Sequence, residues 1–120
     1  FNTQNLANTA WAFARAGHPT PELFDAIGHA AAPQLARFST QELANIAWAF
    51  CKADVPSEPL FGTSSRFTEI CDARRNWRKQ ELIQLHQWQR WREAQSICDW
   101  PSLPQRFRSY KPTLICHNEK

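Results

Sequence analysis

One segment near the start of this chain occurs twice, at an offset of 37 residues. FNTQNLANTAWAFARAG begins at Phe1, FSTQELANIAWAFCKAD begins at Phe38, and the two copies align without a gap. The tetrapeptides PELF (21–24) and EPLF (58–61) follow them in the same register. A unit of this length is typical of stacked helical repeats, in which each unit buries its apolar side against a neighbour.

A weaker third copy, WRKQELIQLHQWQRW, begins at Trp77. At an offset of 39, its amide and leucine positions match those of the second copy: Gln80, Leu82 and Gln84 against Gln41, Leu43 and Asn45. This match is too short to stand alone, but its place directly after two clear copies indicates a third unit.

Each copy predicts a pair of helices. Ser39 and Glu42 have the spacing of a capping box, and Asn2 is the corresponding cap in the first copy. Apolar residues then recur along one helix face, at Leu43, Ile46, Ala47 and Phe50. These signals place the start of the first helix in each copy.

Glycine and proline mark where the helices end. Gly17 suits the position after the first helix, and Pro21 suits the first turn of the next one, behind Thr20 as its cap. Pro33 should end or kink that second helix. In the second copy, the sequence from Gly62 to Ser65 should interrupt the equivalent helix.

The sequence therefore predicts an all-α fold, an α-solenoid of helical hairpins with a repeat of about 37–39 residues. Its expected parts are repeat 1 (1–37), repeat 2 (38–76, with a degenerate second helix), repeat 3 (77–100, built on a long helix over about 78–98) and an irregular basic tail (101–120). The chain contains no methionine, so we expect it to be a piece of a longer protein.

Composition excludes several classes of function. The chain has no apolar run long enough for a membrane span, and with only three glycines it has no glycine-rich phosphate loop. No set of nucleophile, histidine and acid has a recognisable order, so we expect no enzyme. The four cysteines lack paired zinc-ligand spacing, which favours reduced structural thiols and predicts neither a metal site nor a cofactor.

A polar stripe recurs on the first helix of both clear copies. Since a helix turns about 100° per residue, two amides, a tryptophan and a basic residue fall on one side of each first helix. They are Gln4, Asn8, Trp11 and Arg15 in repeat 1, and Gln41, Asn45, Trp48 and Lys52 in repeat 2. Such residues could read and stack on the bases of a single-stranded nucleic acid. The alternatives are a solvated helix face, tryptophans packed between repeats, which we favour for Trp11 and Trp48, and an asparagine ladder. In that ladder, Asn8 and Asn45 would hydrogen-bond to the backbone of the next repeat.

Charge is distributed unevenly along the chain. Residues 1–62 carry a net charge of −2 and residues 63–120 a net charge of +5. The basic segment offers Arg74, Arg75, Arg78 and Lys79, followed by Arg90, Arg92, Arg106, Arg108 and Lys111, with Trp77, Trp88, Trp91 and Trp100 interleaved. This pattern suits a single-stranded nucleic acid, and it suits equally a solvated helix face over ordinary core tryptophans.

The repeat FxTQxLANxAWAFxxA, with its core at Leu6–Phe13 and Leu43–Phe50, closely resembles the octotricopeptide repeats of algal and other protist proteins, which are related to the helical region of FAST-kinase-like proteins. The stretch from Glu81 to Trp91 and the following WPSLPQRF are similar to the segment that these proteins place before a C-terminal RAP domain. The resemblance covers residues 1 to about 108, and the RAP domain itself is missing.

This resemblance implies sequence-directed binding of single-stranded RNA, in mitochondria or alternatively chloroplasts, acting on transcript stability, processing or translation. It implies association with other proteins of an organellar ribonucleoprotein, and neither DNA nor a membrane as a partner. The polar first-helix residues would face the RNA. Our leading hypothesis is a non-enzymatic RNA-binding module, and the alternative is a protein-interaction scaffold without nucleic-acid binding.

Overall fold

The computed structural model describes residues 2–17, 20–95 and 99–108, and within these ranges every regular element is a helix. The prediction of an all-α fold is therefore confirmed. The elements in chain order are α1 (Thr3–Ala16), α2 (Pro21–Ala31), a 3-10 helix (Ala32–Arg37), α3 (Thr40–Ala53), α4 (Glu58–Phe61), α5 (Phe67–Ala73), α6 (Lys79–Ala94) and α7 (Gln105–Arg108).

Both predicted helix caps at the repeat starts are confirmed. Asn2 Oδ1 accepts a hydrogen bond from the Asn5 backbone N–H at 2.7 Å. Ser39 and Glu42 form the full capping box, since each side chain accepts a bond from the other residue's backbone N–H, at 3.1 and 3.0 Å. Helix α1 ends at Gly17, whose φ of 77° is the left-handed conformation that glycine adopts without a steric cost.

The predicted breaks also lie where the sequence puts them. Helix α2 ends at Ala31, and the chain continues through Pro33 as a tighter 3-10 helix. The second helix of repeat 2 is split into α4 and α5 on either side of the Gly62–Ser65 stretch. Helix α6 ends at Ala94, short of the expected end near residue 98, and residues 96–98 lie outside the described ranges.

The first helices of the three repeats lie side by side, because α3 packs against α1 and also against α6. Small residues make this approach close: Ala7, Ala10, Ala44 and Ala47 are all fully buried. The second helices α2 and α4 also pack against each other. They meet where Gly28 faces Ser57, and a Cβ at that glycine would lie 2.5 Å from Ser57 Oγ.

A continuous line of aromatic rings runs through the core of all three repeats. Phe24 meets Phe50 with 5.0 Å between ring centroids, Phe50 meets Phe61 at 5.8 Å, and Phe61 meets Trp88 at 5.1 Å. Each such pair contributes about 0.5–1.5 kcal/mol beyond the burial of its surface. The third repeat is thus part of the same core, although its sequence match is the weakest.

No helix within the described residues is both long and apolar enough to span a bilayer.

Candidate nucleic-acid interface

A polar groove crosses the first helices of all three repeats. It encloses about 410 Å³, and its lining comes from α1, α3 and the start of α6: Asn8, Trp11, Gln41, Asn45, Arg78, Gln80, Glu81 and Gln84. Five of these eight side chains are amides, which both donate and accept hydrogen bonds. We refer to this set of residues as the amide groove.

Repeats 2 and 3 are joined inside the amide groove by a side-chain hydrogen bond. Gln84 Nε2 donates to Asn45 Oδ1 at 3.2 Å. The sequence left open an asparagine ladder to the backbone of the next repeat, whereas the bond at Asn45 joins two side chains. It occupies one donor and one acceptor, which leaves each amide a second polar atom to offer to the groove.

The stripe tryptophans pack against each other across the boundary between repeats 1 and 2. The ring centroids of Trp11 and Trp48 are 6.2 Å apart, and both side chains are half-buried. Packing between repeats, the interpretation that we favoured, is therefore confirmed. Trp11 also borders the amide groove, and the Arg15 guanidinium lies 5.1 Å from its ring centroid. The Trp11 indole thus packs between repeats 1 and 2 and also lines part of the amide groove.

The charged candidates divide by what they contact. Arg78 lines the amide groove, and Arg75, Lys79 and Lys52 are exposed. Arg74 instead holds the fold together, since its guanidinium donates to the carbonyl oxygens of Phe38 and, at 2.8 Å, of Ala36.

A buried carboxylate lies beside Arg78 in the groove. Glu81 is 4% exposed, and its Oε1 accepts a hydrogen bond from the Arg78 backbone N–H at 2.9 Å. This bond caps the N-terminus of α6 and keeps the carboxylate at the helix end whose dipole favours negative charge. Gln4 is exposed on α1 and is not among the residues that line the groove.

Two of the four interleaved tryptophans of the basic segment lie in the core. Trp88 is fully buried and Trp100 is 5% exposed, so stacking on bases, one of two options that the sequence left open, is wrong for both. Trp91 Nε1 donates to Asp54 Oδ1 at 2.8 Å, and Trp77 packs edge-on against Phe107. Trp88 and Trp100 continue the aromatic core because both contact Phe61, and Trp77 and Trp91 pack partly buried against that core.

Most later arginines of the segment are bound to the protein itself. Arg92 donates to the carbonyl oxygens of Trp100 and Pro101. Arg106 pairs with Asp72 at 3.4 Å and Arg108 donates to Gln105 Oε1 at 3.1 Å, whereas Arg90 is exposed on α6. Lys111 lies outside the described residues.

The thiols that the structure describes are poor nucleophiles. Burial, together with the nearby Asp54 charge, raises the pKa of Cys51 to about 11, and burial raises the pKa of Cys71 further. Both cysteines are free. In the described ranges, no three histidine, cysteine or acidic residues come together as a metal site would require.

Three residues of the groove were absent from the sequence-based candidates. Gln80, Gln84 and Glu81 belong to repeat 3, where the sequence match is weak. The offset of 39 already paired the two glutamines with Gln41 and Asn45, so the signal was present in the alignment. The same offset pairs Glu81 with Glu42, the capping-box residue of repeat 2, so its capping role also had a signal in the sequence.

Comparisons with known proteins do not identify a relative: no family model, no curated protein and no solved structure matches the chain.

Proposed function

We propose that this chain is a non-enzymatic α-solenoid module that binds single-stranded RNA along the amide groove. The observation that carries the proposal is the arrangement of the groove, in which equivalent polar positions of three consecutive repeats lie side by side. A surface that offers the same kind of polar group once per repeat fits a polymer whose nucleotides follow one another in the same way.

The groove suits unpaired bases because amides can bond to the Watson–Crick edges that only a single strand exposes. Neighbouring helix axes in contact are about 8–10 Å apart, whereas stacked bases of one strand follow each other about every 3.4 Å. A strand that presents one base to each repeat must therefore be extended and unstacked.

In this arrangement the phosphates are contacted by basic side chains around the amide groove rather than by residues on its floor. Arg78 lines it, Lys79 directly precedes Gln80 of its lining, and Arg15 and Lys52 are exposed farther along α1 and α3. Arg15 is additionally held by its stacking on Trp11. Each phosphate neutralised on a single strand should contribute about −0.7 to the slope of log affinity against log salt.

RNA rather than DNA, and an organelle as the site of action, follow from the resemblance to octotricopeptide and FAST-kinase-like proteins. On the same basis we propose mitochondria, with chloroplasts as the alternative, and a role in transcript stability, processing or translation beside other proteins of a ribonucleoprotein.

The experiment is fluorescence anisotropy of a mixed-sequence single-stranded RNA pool with the 120-residue chain, at about 50 and about 200 mM salt, the range over which phosphate contacts change affinity. The test variant is Asn8→Ala/Asn45→Ala, and the matched control is Gln87→Ala, which removes an exposed amide of α6 outside the groove. We expect salt-sensitive binding that weakens at least about tenfold in the double variant, since lost polar contacts to a base cost about 1–3 kcal/mol each, and that is unchanged in the control.

Three results would contradict the proposal. Equal loss in the control variant would mean that the groove is not the site. Equal affinity for a mixed-sequence single-stranded DNA pool would remove the preference for RNA. A folded, helical chain that binds no RNA would favour the protein-interaction scaffold instead.

A further inference from the structure

One large apolar side chain is exposed among the described residues. Phe13 is 40% exposed on α1, whereas Phe50, the matching residue of α3 at the offset of 37, is fully buried. The two residues have the same place in the same sequence motif, so the difference comes from their surroundings and not from their helices.

The neighbours of Phe13 show the same difference. Ala12 is exposed and Thr9 is half-buried, whereas their counterparts in repeat 2, Ala49 and Ile46, are fully buried. Repeat 1 accounts for the burial in repeat 2, because α1 packs along α3. Nothing in the described part of the chain covers α1 in this way. We call the surface formed by Thr9, Ala12 and Phe13 the open face.

An apolar groove continues the open face between α1 and α2. It encloses about 290 Å³, and Leu6, Leu23, Ala26 and Ile27 contribute to its walls. A protein surface that joins an exposed phenylalanine to an apolar groove is typical of a place where another protein element packs.

We propose that the open face is the docking surface for a further helical hairpin of the same repeat type, bound in the orientation in which repeat 1 covers repeat 2. That orientation fixes the chemistry of the partner. Its first helix presents small residues at the positions of Ala7 and Ala10, and its second helix places an aromatic ring where Phe24 lies, edge-on to Phe13. The pair Phe24–Phe50, at 5.0 Å, is the pattern for this contact.

A second copy of this chain does not have the required surface. Its own alanine face on α1 is already buried against α3. The exposed residues of α6, at the other side of the helix layer, are charged or amide-bearing apart from Ala94: Lys79, Gln80, Gln87, Arg90 and Glu93. Such a surface closes a stack of repeats, since terminal units need a polar outer side.

The test adds a further repeat to the chain at the same offset of 37 residues that separates repeats 1 and 2. A duplicate of residues 1–37 is fused directly before residue 1, which places its alanines and its aromatic residue opposite the open face. We expect the fusion to stay monomeric, to keep its helical content per residue and to melt at least about 5 °C above the original chain, since covering the open face adds to stability by burial.

Phe13→Ala is then compared in both proteins, with Phe50→Ala as the reference. In the original chain we expect Phe13→Ala to lower Tm by less than about 2 °C, because an exposed ring contributes little. In the fusion it should lower Tm by about 10 °C or more, as Phe50→Ala does in both.

The proposal is overturned if Phe13→Ala has the same small effect in both proteins, or if the fusion loses helical content per residue. It is also overturned if the original chain forms a dimer in sedimentation that Phe13→Ala abolishes, since a second copy would then be the occupant. Packing on the open face does not depend on RNA binding.

Discussion

Trp91 on α6 donates its indole N–H to the carboxylate of Asp54, 2.8 Å away at the end of α3. Asp54 occupies the position that Gly17 has in repeat 1, and it adopts the same left-handed backbone, with φ of 58°. Gln95 also reaches this carboxylate, at 3.5 Å. A helix end that repeat 1 closes with glycine is thus closed in repeat 2 by a side chain that binds repeat 3.

Replacing Asp54 by glycine separates these two roles. Glycine relieves the left-handed strain, about 1 kcal/mol for a non-glycine residue, but it removes an acceptor that is charged, and such bonds contribute about 1.5–3 kcal/mol. We expect Asp54→Gly to lower the free energy of unfolding by about 1 kcal/mol, measured by urea denaturation. Asp54→Asn keeps an acceptor and tolerates the backbone, so it should lose less. A more stable glycine variant would show that the Trp91 bond contributes less than the relief of the left-handed strain.

Arg74 and Arg78 lie four residues apart but should have opposite effects when changed. Arg74→Gln removes charged donors to two backbone carbonyls, so we expect a loss of about 1.5–3 kcal/mol in stability, read from chemical denaturation. The RNA affinity of the folded protein should be unchanged. Arg78→Gln should leave stability within about 0.5 kcal/mol and reduce the salt slope of RNA binding by about 0.7. The reverse assignment of these effects would remove Arg78 from the interface.

Cys51 should make stability depend on alkaline pH. Its pKa is raised by burial from 9.0 to about 11, so the folded state holds the proton more tightly than the unfolded state does. The resulting stabilisation is complete below about pH 9 and is lost as pH rises through about 11. We expect the free energy of unfolding of the wild type to fall over this window more steeply than that of Cys51→Ala, which inserts the residue that repeat 1 has at Ala14. Parallel pH profiles of the two proteins would contradict the assignment.

Trp88 distinguishes packing from hydrogen bonding in the core. Its side chain is fully buried, and its Nε1 has no hydrogen-bond partner among the described residues. Trp88→Ala should therefore lower the free energy of unfolding by about 3–5 kcal/mol through the cavity it leaves.

Trp88→Phe removes the unpaired N–H, which favours folding, and also removes part of the side-chain volume, which disfavours it. Because these effects oppose each other, the free energy of unfolding should fall by less than about 1.5 kcal/mol. Thermal or urea unfolding of the two variants measures the difference. A phenylalanine variant as unstable as the alanine variant would mean that the indole N–H is bound after all.

The parts of the fold that local chemistry determines were predictable from the sequence. The Ser39–Glu42 capping box, the left-handed Gly17 and the split around Gly62 each depend on a few neighbouring residues, and all are present in the structure. The amide groove was partly predictable, because the offset of 39 relates Gln80 and Gln84 of repeat 3 to Gln41 and Asn45 of repeat 2.

The remaining features depend on contacts between distant residues. A tryptophan among arginines has the same sequence signature whether it stacks on a base or lies in the core, and only the position of Phe61 beside Trp88 decides the matter. Arg74 could not be assigned from sequence either, since its partners Ala36 and Phe38 are 38 and 36 residues away.

The two outer sides of the layer of first helices differ, because the exterior of α6 is polar and that of α1 is apolar. A unit added beside Phe13 would find a matching surface and leave a new surface of the same kind behind it, whereas a unit added beside Arg90 would meet charges in water. Duplication of the 37-residue segment can therefore lengthen such a protein from one side only. The layer of first helices would grow in steps of one unit, while the polar outer side of α6 stays the same.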